Sequence, residues 1–471
     1  LQSPSYSRAP LTPQFWLLAF FLGMVFLMGG ASRVDAASLV ALRPVSVLIS
    51  AAALFTFRRE HWQGRGWLLA LMGAIFALSL SHVVPLPPAV WQALPGRAEV
   101  AELDRLAGLG DIWRPLSLTP MNGWHAFISL FAPLAVILLG LQLRRNESHL
   151  LLIILIGLGV FSGLLGLLQV IGDPNGPLYL YRITNNGSAV GFFANRNHGA
   201  LMLAMLFPML AIFASNPEGT IDAQQWRRLF AISLGVVLLP LILVSGSRAG
   251  LILTLIGLLS IPALYRRPAD GRHVRRGGKR FQIKPLPLIG GLTVLALAML
   301  TIVFSRAQSI ERLMNRDSAD DARMDFWKTS IELFWKYFPV GSGSGSFASA
   351  YQVVEPNRML GHFFVNHAHN DWLEVAMTFG LPAVLLMAIC LFAFFRTTLS
   401  IWRRQQATSR TTQFARLGSV MVAMLALASV PDYPVRIPIM MCVAAVAGLW
   451  LAGGGAAGDG AKDAAWQGGK R

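Results

Sequence analysis

Charge is what this sequence has least of for its size: 13% of its 471 residues are charged and 54% are hydrophobic, whereas soluble domains ordinarily carry about 25% charged residues. That scarcity excludes a soluble chain. Cysteine is almost absent, and Cys390 and Cys442 both sit inside apolar segments. They supply neither a disulfide framework nor a zinc site and are expected to pack as small core residues. The glycine run 341–347 lacks a G-K-[ST] ending and a preceding strand, so no nucleotide phosphate loop is supported and a tight, flexible turn is expected there. No D-x-D pair of the kind used to hold a divalent cation occurs either. The expectation is a reaction without metal or other cofactor. The first apolar core follows no basic stretch and precedes no A-x-A-like cleavage site, so it reads as a retained span.

What the chain has in abundance is apolar runs of about 17 to 25 residues, each long enough to cross about 30 Å of hydrocarbon as helix. They fall at 14–32, 39–57, 66–84, 124–143, 149–171, 197–215, 228–245, 248–265, 286–305, 371–395, 414–430 and 437–454. The expected fold class is therefore all-α, a polytopic membrane protein with about 12 transmembrane helices. Residues 1–305 would hold the first nine spans and an outer loop at 85–123, residues 306–370 a large outer loop, and residues 371–471 the last three spans and a tail. With both termini on the inner side, the inner loops near 58–66, 144–149, 216–228, 266–285 and 396–416, together with the termini, account for the whole formal charge of +17. The basic run 266–280 fits a topology determinant facing anionic lipid better than a nucleic-acid site.

The large outer loop carries two stretches with helical apolar spacing. Ile310, Leu313 and Met314 share one face, and Met324, Trp327, Ile331, Phe334 and Trp335 recur at intervals of three and four. Both are expected to lie as amphipathic helices against the membrane surface. The earlier loop, 85–123, carries prolines and tryptophan suited to a rigid lid and no obvious catalytic group.

Arginine at a membrane boundary is costly unless paired or functional. Arg43, a few residues into the second span, reads as a snorkelling or ion-paired side chain. Arg248 lies in the short turn V-S-G-S-R-A-G, Arg196 in F-F-A-N-R-N-H-G, and Arg323 opens the second amphipathic stretch. A permanently charged, forked guanidinium at such a lip suits a phosphorylated lipid. The most informative segment is N-H-A-H-N-D-W-L-E, 366–374, where polar residues run straight into an apolar helix. His369 is the expected general base, with Asp371 and Glu374 read as a capping box whose helix end keeps the imidazole neutral. His362, His367 and His369 could instead bind zinc, but no third ligand of fixed spacing accompanies the H-x-H pair.

These residues resemble the O-antigen ligase and polymerase superfamily. His369-Asn370, nine residues and Gly380 match the spacing of its ligase histidine motif, and Ser247-Arg248-Ala249-Gly250 matches its S-R-[AG]-G-like turn. Arg323, Trp327, Pro339, Gly341, Gly343, Gly345 and Phe347 follow its later segment in order, with the gap from Pro339 to Gly341 one residue shorter. Ala383 departs from the usual Gly, Thr or Tyr, and the arginine-rich repeat of some polymerases is absent.

The resemblance implies a bacterial inner-membrane enzyme with a large periplasmic loop. It would move a glycan from undecaprenyl pyrophosphate to an acceptor hydroxyl, on lipid A-core or another glycan, by an inverting and metal-independent displacement. His369 would act as base, Arg248 and Arg323 would hold the pyrophosphate, and Arg196, Asn370 and His367 would contact substrate. A polymerase joining repeat units would use the same chemistry. A transporter or flippase would share the spans, but carriers place acids near mid-membrane, and here every acid but Glu374 falls in a loop on this reading. A scaffold without catalysis leaves the clustered His and Arg unexplained.

Overall fold

The apolar runs become helix because hydrocarbon offers backbone groups no hydrogen-bond partner outside the segment itself. The computed structural model describes residues 10–267, 291, 295, 297, 318–360, 365–404 and 409–453, and is almost entirely helical. Among these residues, seven helices are long and apolar enough to cross a membrane: Ser38–Phe55, Pro120–Leu141, Asn146–Ile171, Arg196–Ala214, Ile221–Ser245, Asp371–Arg403 and Arg410–Ala428. Four shorter apolar helices, Pro13–Met28, Gly66–Ser81, Arg248–Leu264 and Pro438–Gly453, match the remaining expected spans apart from 286–305. That segment lies almost wholly outside the described residues. The protein is a multi-pass helical membrane protein. Cys442 is buried in its helix and Cys390 partly so, and neither is bonded to the other.

Polar caps set several helix starts. Thr12, Asn195, Thr220, Ser247 and Asn370 each accept a hydrogen bond from a backbone N–H in the first turn. The Arg196–Ala214 helix is the centre of the bundle, with 89% of its span buried. It packs against Arg145–Ile171, Ile221–Ser245, Arg248–Leu264 and Arg410–Ala428. Small residues permit its closest crossing: a β-carbon at Gly250 would lie 2.5 Å from Ala200 Cβ, and one at Gly257 2.8 Å from the Ala204 carbonyl oxygen. The two helices run parallel, so their arginine-bearing N-termini end on the same side.

A second, smaller core caps that side, built from Leu333, Tyr337, Phe347, Ala350, Tyr351, Ala368 and Met377. The helix Ser318–Tyr337 supplies its roof. Leu333 and Tyr337 are buried with Phe326 and Phe334 packed beside them, while Met324, Ile331 and Trp335 point outward. The stripe is helical as its spacing predicts, and Thr329 and Ser330 join Leu333 and Tyr337 on the packed face. The first amphipathic stretch lies outside the described residues.

The glycine run differs from the flexible turn expected of it. It is a packed strap: Ser342, Ser344 and Ser346 are fully buried. Its backbone is stitched on one side to Met377 and Thr378, through Ser342 N–H and Gly343 N–H, and on the other to Leu118 N–H. At Gly343, φ is 104° and a β-carbon would fall 2.1 Å from Ser117 Cα, so only glycine fits. The 85–123 loop clamps the strap. Pro85–Leu86 pairs antiparallel with Arg114–Pro115, and the fully buried Arg97 donates to the carbonyls of Leu116 and Gly341. Burial pulls Arg97 down to about 10, which still leaves it charged at neutral pH.

Candidate functional site

Three capped helix starts converge at the rim below this small core. Asn370 caps Asp371–Arg403, with its Oδ1 accepting from Leu373 N–H at 3.0 Å. The capping pattern expected from the sequence is therefore shifted by one residue: Asn370 is extended, Asp371 is already helical, and the Asp371 and Glu374 carboxylates are released for other partners. Asn195 caps Arg196–Ala214 and Ser247 caps Arg248–Leu264. Arg196 and Arg248 are thus the first residues of neighbouring helices, both half-buried. Ser247 Oγ donates to Asn197 Oδ1 at 2.8 Å and locks the two starts together. The strap leading into Asn195 is held by the buried Gln169, whose amide accepts from Val190 and Gly191 N–H and donates to the Leu178 and Gly191 carbonyls.

At the meeting point is a residue the sequence reading passed over as a loop acid, Asp432. It lies in the short connection before Pro438–Gly453 and is buried. Its Oδ2 accepts from Asn197 Nδ2 at 2.7 Å and Asn195 Nδ2 at 3.1 Å, and its Oδ1 from Tyr433 N–H at 3.0 Å. His369 Nδ1 stands 3.4 Å from Oδ1 and His198 Nε2 3.7 Å from it, both at ion-pair distance without an aligned hydrogen bond. Burial alone would raise the Asp432 carboxyl, but His198 and His369 outweigh it and hold it well below the ordinary carboxylate value. The electrostatic neighbour of His369 is therefore this carboxylate as much as the helix end.

His369 itself is held firmly. Its backbone takes φ of 48°, uncommon for a side-chain-bearing residue. Its ring stacks on Phe326 at 5.9 Å and meets Tyr433 edge-on at 4.9 Å. Trp327 Nε1 reaches its carbonyl at 3.4 Å. Phe326 and Trp327 come one turn after Arg323 on the Ser318–Tyr337 helix, so the third expected arginine has its backbone on the element that covers His369. The Arg323 side chain lies outside the described residues.

A second imidazole–carboxylate pair adjoins the first. His367 Nδ1 lies 3.0 and 3.2 Å from the two Glu374 oxygens, and Ala368 N–H donates to the same carboxylate at 2.9 Å. Arg436, also unremarked in the sequence, places Nε 3.1 Å from Asp371 Oδ1 and Nη2 3.5 Å from Glu374 Oε1. Burial would lower Arg436, but Glu374 and Asp371 overcome that and raise it. Tyr433 lies between the two histidines, its hydroxyl pushed well up by burial and by Asp432. The signal that could have found Asp432 and Arg436 was the one applied to Arg248: charged residues in a connection too short to leave the lip of two helices.

Among the described residues, no group of three or more His, Cys, Asp or Glu is arranged to hold a metal ion; His362 lies outside them. Arg43, read as ion-paired or snorkelling, donates to Ser129 Oγ and contacts His125 Nδ1, both at 3.2 Å. It takes no part in this cluster.

Fold and site together define a multi-pass membrane protein with carboxylate-backed histidines and arginine-headed helix starts gathered at one rim. Residues 233–388, about a third of the chain, match the family model for the O-antigen ligases. Arg248, Arg323, His369 and Gly380, which carry the resemblance, all lie within this segment, and the match supports membership of that superfamily. A match of this kind supports a membrane glycosyl-transferring enzyme of O-antigen ligase or polymerase type. No curated protein matches it.

Proposed function

We propose that this protein transfers a glycan from undecaprenyl pyrophosphate to an acceptor hydroxyl, on lipid A-core or another glycan, at the periplasmic face of the bacterial inner membrane. The observation that carries the reading is the placement of His369. With Nδ1 turned to the buried Asp432, the far nitrogen, Nε2, on a ring that is 26% exposed, is the one left to meet a hydroxyl. A carboxylate on Nδ1 fixes the tautomer in which Nε2 carries a lone pair, as a base requires. The 3.4 Å separation is of the kind that tightens when substrate arrives.

The acceptor oxygen attacks the anomeric carbon as its proton passes to Nε2. The bond to the pyrophosphate oxygen breaks from the opposite side, which inverts the centre. Arg248 and Arg323 take up the negative charge growing on the leaving group, aided by the positive ends of the capped helices. Arg196, Asn370 and His367 serve as substrate contacts. No nucleotide or metal enters this scheme.

Reconstitution in liposomes with a defined undecaprenyl-pyrophosphate oligosaccharide and separate acceptors tests the reading. Transfer to lipid A-core supports a ligase, chain extension a polymerase, and translocation without transfer a carrier, which would overturn the proposal. In that assay Arg248→Ala or Arg323→Ala is expected to reduce turnover by about 10²-fold or more. Arg→Lys at either position should retain part of it, because charge survives without the bidentate fork. Addition of a chelator should leave the rate unchanged, and inhibition would restore the metal reading of the histidines.

A further inference from the structure

The cluster around His369 is electrostatically lopsided. On one side stand the arginine-headed helix starts at 196 and 248. On the other, His367 pairs with the Glu374 carboxylate, which Arg436 links to that of Asp371. An anion such as pyrophosphate is favoured by the first side and resisted by the second, where Arg436 already spends two nitrogens on carboxylates. Glu374 nevertheless fixes His367 as Asp432 fixes His369, with Nδ1 toward the carboxylate. Nε2 has no partner among the described residues, and the side chain keeps 14% of its surface exposed. Both rings pack on the same tyrosine, at 4.3 Å for His367 and 4.9 Å for His369.

An imidazole that donates through Nδ1 to a carboxylate presents Nε2 as a hydrogen-bond acceptor, and the uncharged group that matches it is a hydroxyl. We infer that His367 belongs to the acceptor side of the site and binds a second hydroxyl of the acceptor sugar beside the one His369 deprotonates. Glu374 is its positioning residue. This rests on the proposed transferase reading and adds to it a rule of acceptor choice: a sugar offering a hydroxyl near the reacting one is preferred over its deoxy analogue.

The test uses the full-length protein in liposomes with lipid A-core as acceptor and, separately, undecaprenyl pyrophosphate as a donor-side binding probe. His367→Ala should raise the acceptor KM about tenfold, the scale of one lost hydrogen bond, with kcat at saturating acceptor and binding of undecaprenyl pyrophosphate both retained. His367→Gln, which can still donate to Glu374 and accept from a hydroxyl, should recover most of the loss, and Glu374→Gln should repeat the KM effect. A fall in kcat at unchanged acceptor KM, or weaker undecaprenyl pyrophosphate binding in His367→Ala, would overturn the inference. A purely structural role would show as a loss that His367→Gln fails to rescue. Failure of the transferase reading is separately visible, since wild-type protein would then show no transfer and Arg248→Ala no defect in binding the probe.

Discussion

His369→Ala is expected to reduce glycan transfer by about 10²–10⁴-fold, the span that positioned general bases contribute, while the protein still inserts and purifies as wild type does. The ring touches Phe326 and Tyr433 but is not the keystone of either hydrophobic core, so its removal leaves the packing in place. Asp432→Asn should show a defect of the same kind, on the order of 10²-fold, because an amide keeps the shape and forfeits the charge that orients the imidazole. Quantifying lipid-linked donor consumed against acceptor modified, in proteoliposomes containing equal amounts of folded variant, gives both numbers. A His369→Ala protein that works at the wild-type rate would remove the histidine from the mechanism.

Gly380→Ala should be the most destabilising single methyl that can be added near the site. Gly380 breaks the Asp371–Arg403 helix with φ 65° and ψ −152°, a region essentially reserved for glycine. A β-carbon there would sit 2.1 Å from the Pro339 carbonyl oxygen, which accepts from Leu381 N–H. Strain and clash together should cost at least about 3 kcal/mol, read as a lower midpoint of thermal unfolding in detergent and loss of the monodisperse peak. Gly157→Ala is the control: nothing lies within 4 Å of a β-carbon there, and alanine is the better helix former. Equal stability of the Gly380→Ala and Gly157→Ala proteins would mean that the strap and the helix break are not coupled as described.

The same break gives the motif spacing a physical meaning. Asn370 caps the helix, nine residues form its first segment, and Gly380 admits the 339–343 strap against its end. Histidine, cap and glycine are therefore three parts of one device that fixes the His369 imidazole relative to the strap. The sequence displayed the parts and their distance, and apolar periodicity displayed the spans. Arg196 and Arg248 were also legible, because charge at a helix lip is costly wherever the helix packs. Asp432 and Arg436 were not, since their value depends on which distant segments they meet, and a short P-D-Y-P connection reads locally as a turn. The serine–glycine run misled for a similar reason: its composition speaks of freedom, whereas the close approach of Ser117, Met377 and Thr378 demands it be packed.

Asp432 and Arg436 reach the two histidines from the connection between Arg410–Ala428 and Pro438–Gly453, which is synthesised after both of them. A nascent chain therefore carries both imidazoles before Asp432 can pair with His369 or Arg436 can join Asp371 to Glu374. On the proposed mechanism the site is complete only once that connection is in place, which ties its electrostatics to threading of the later helices.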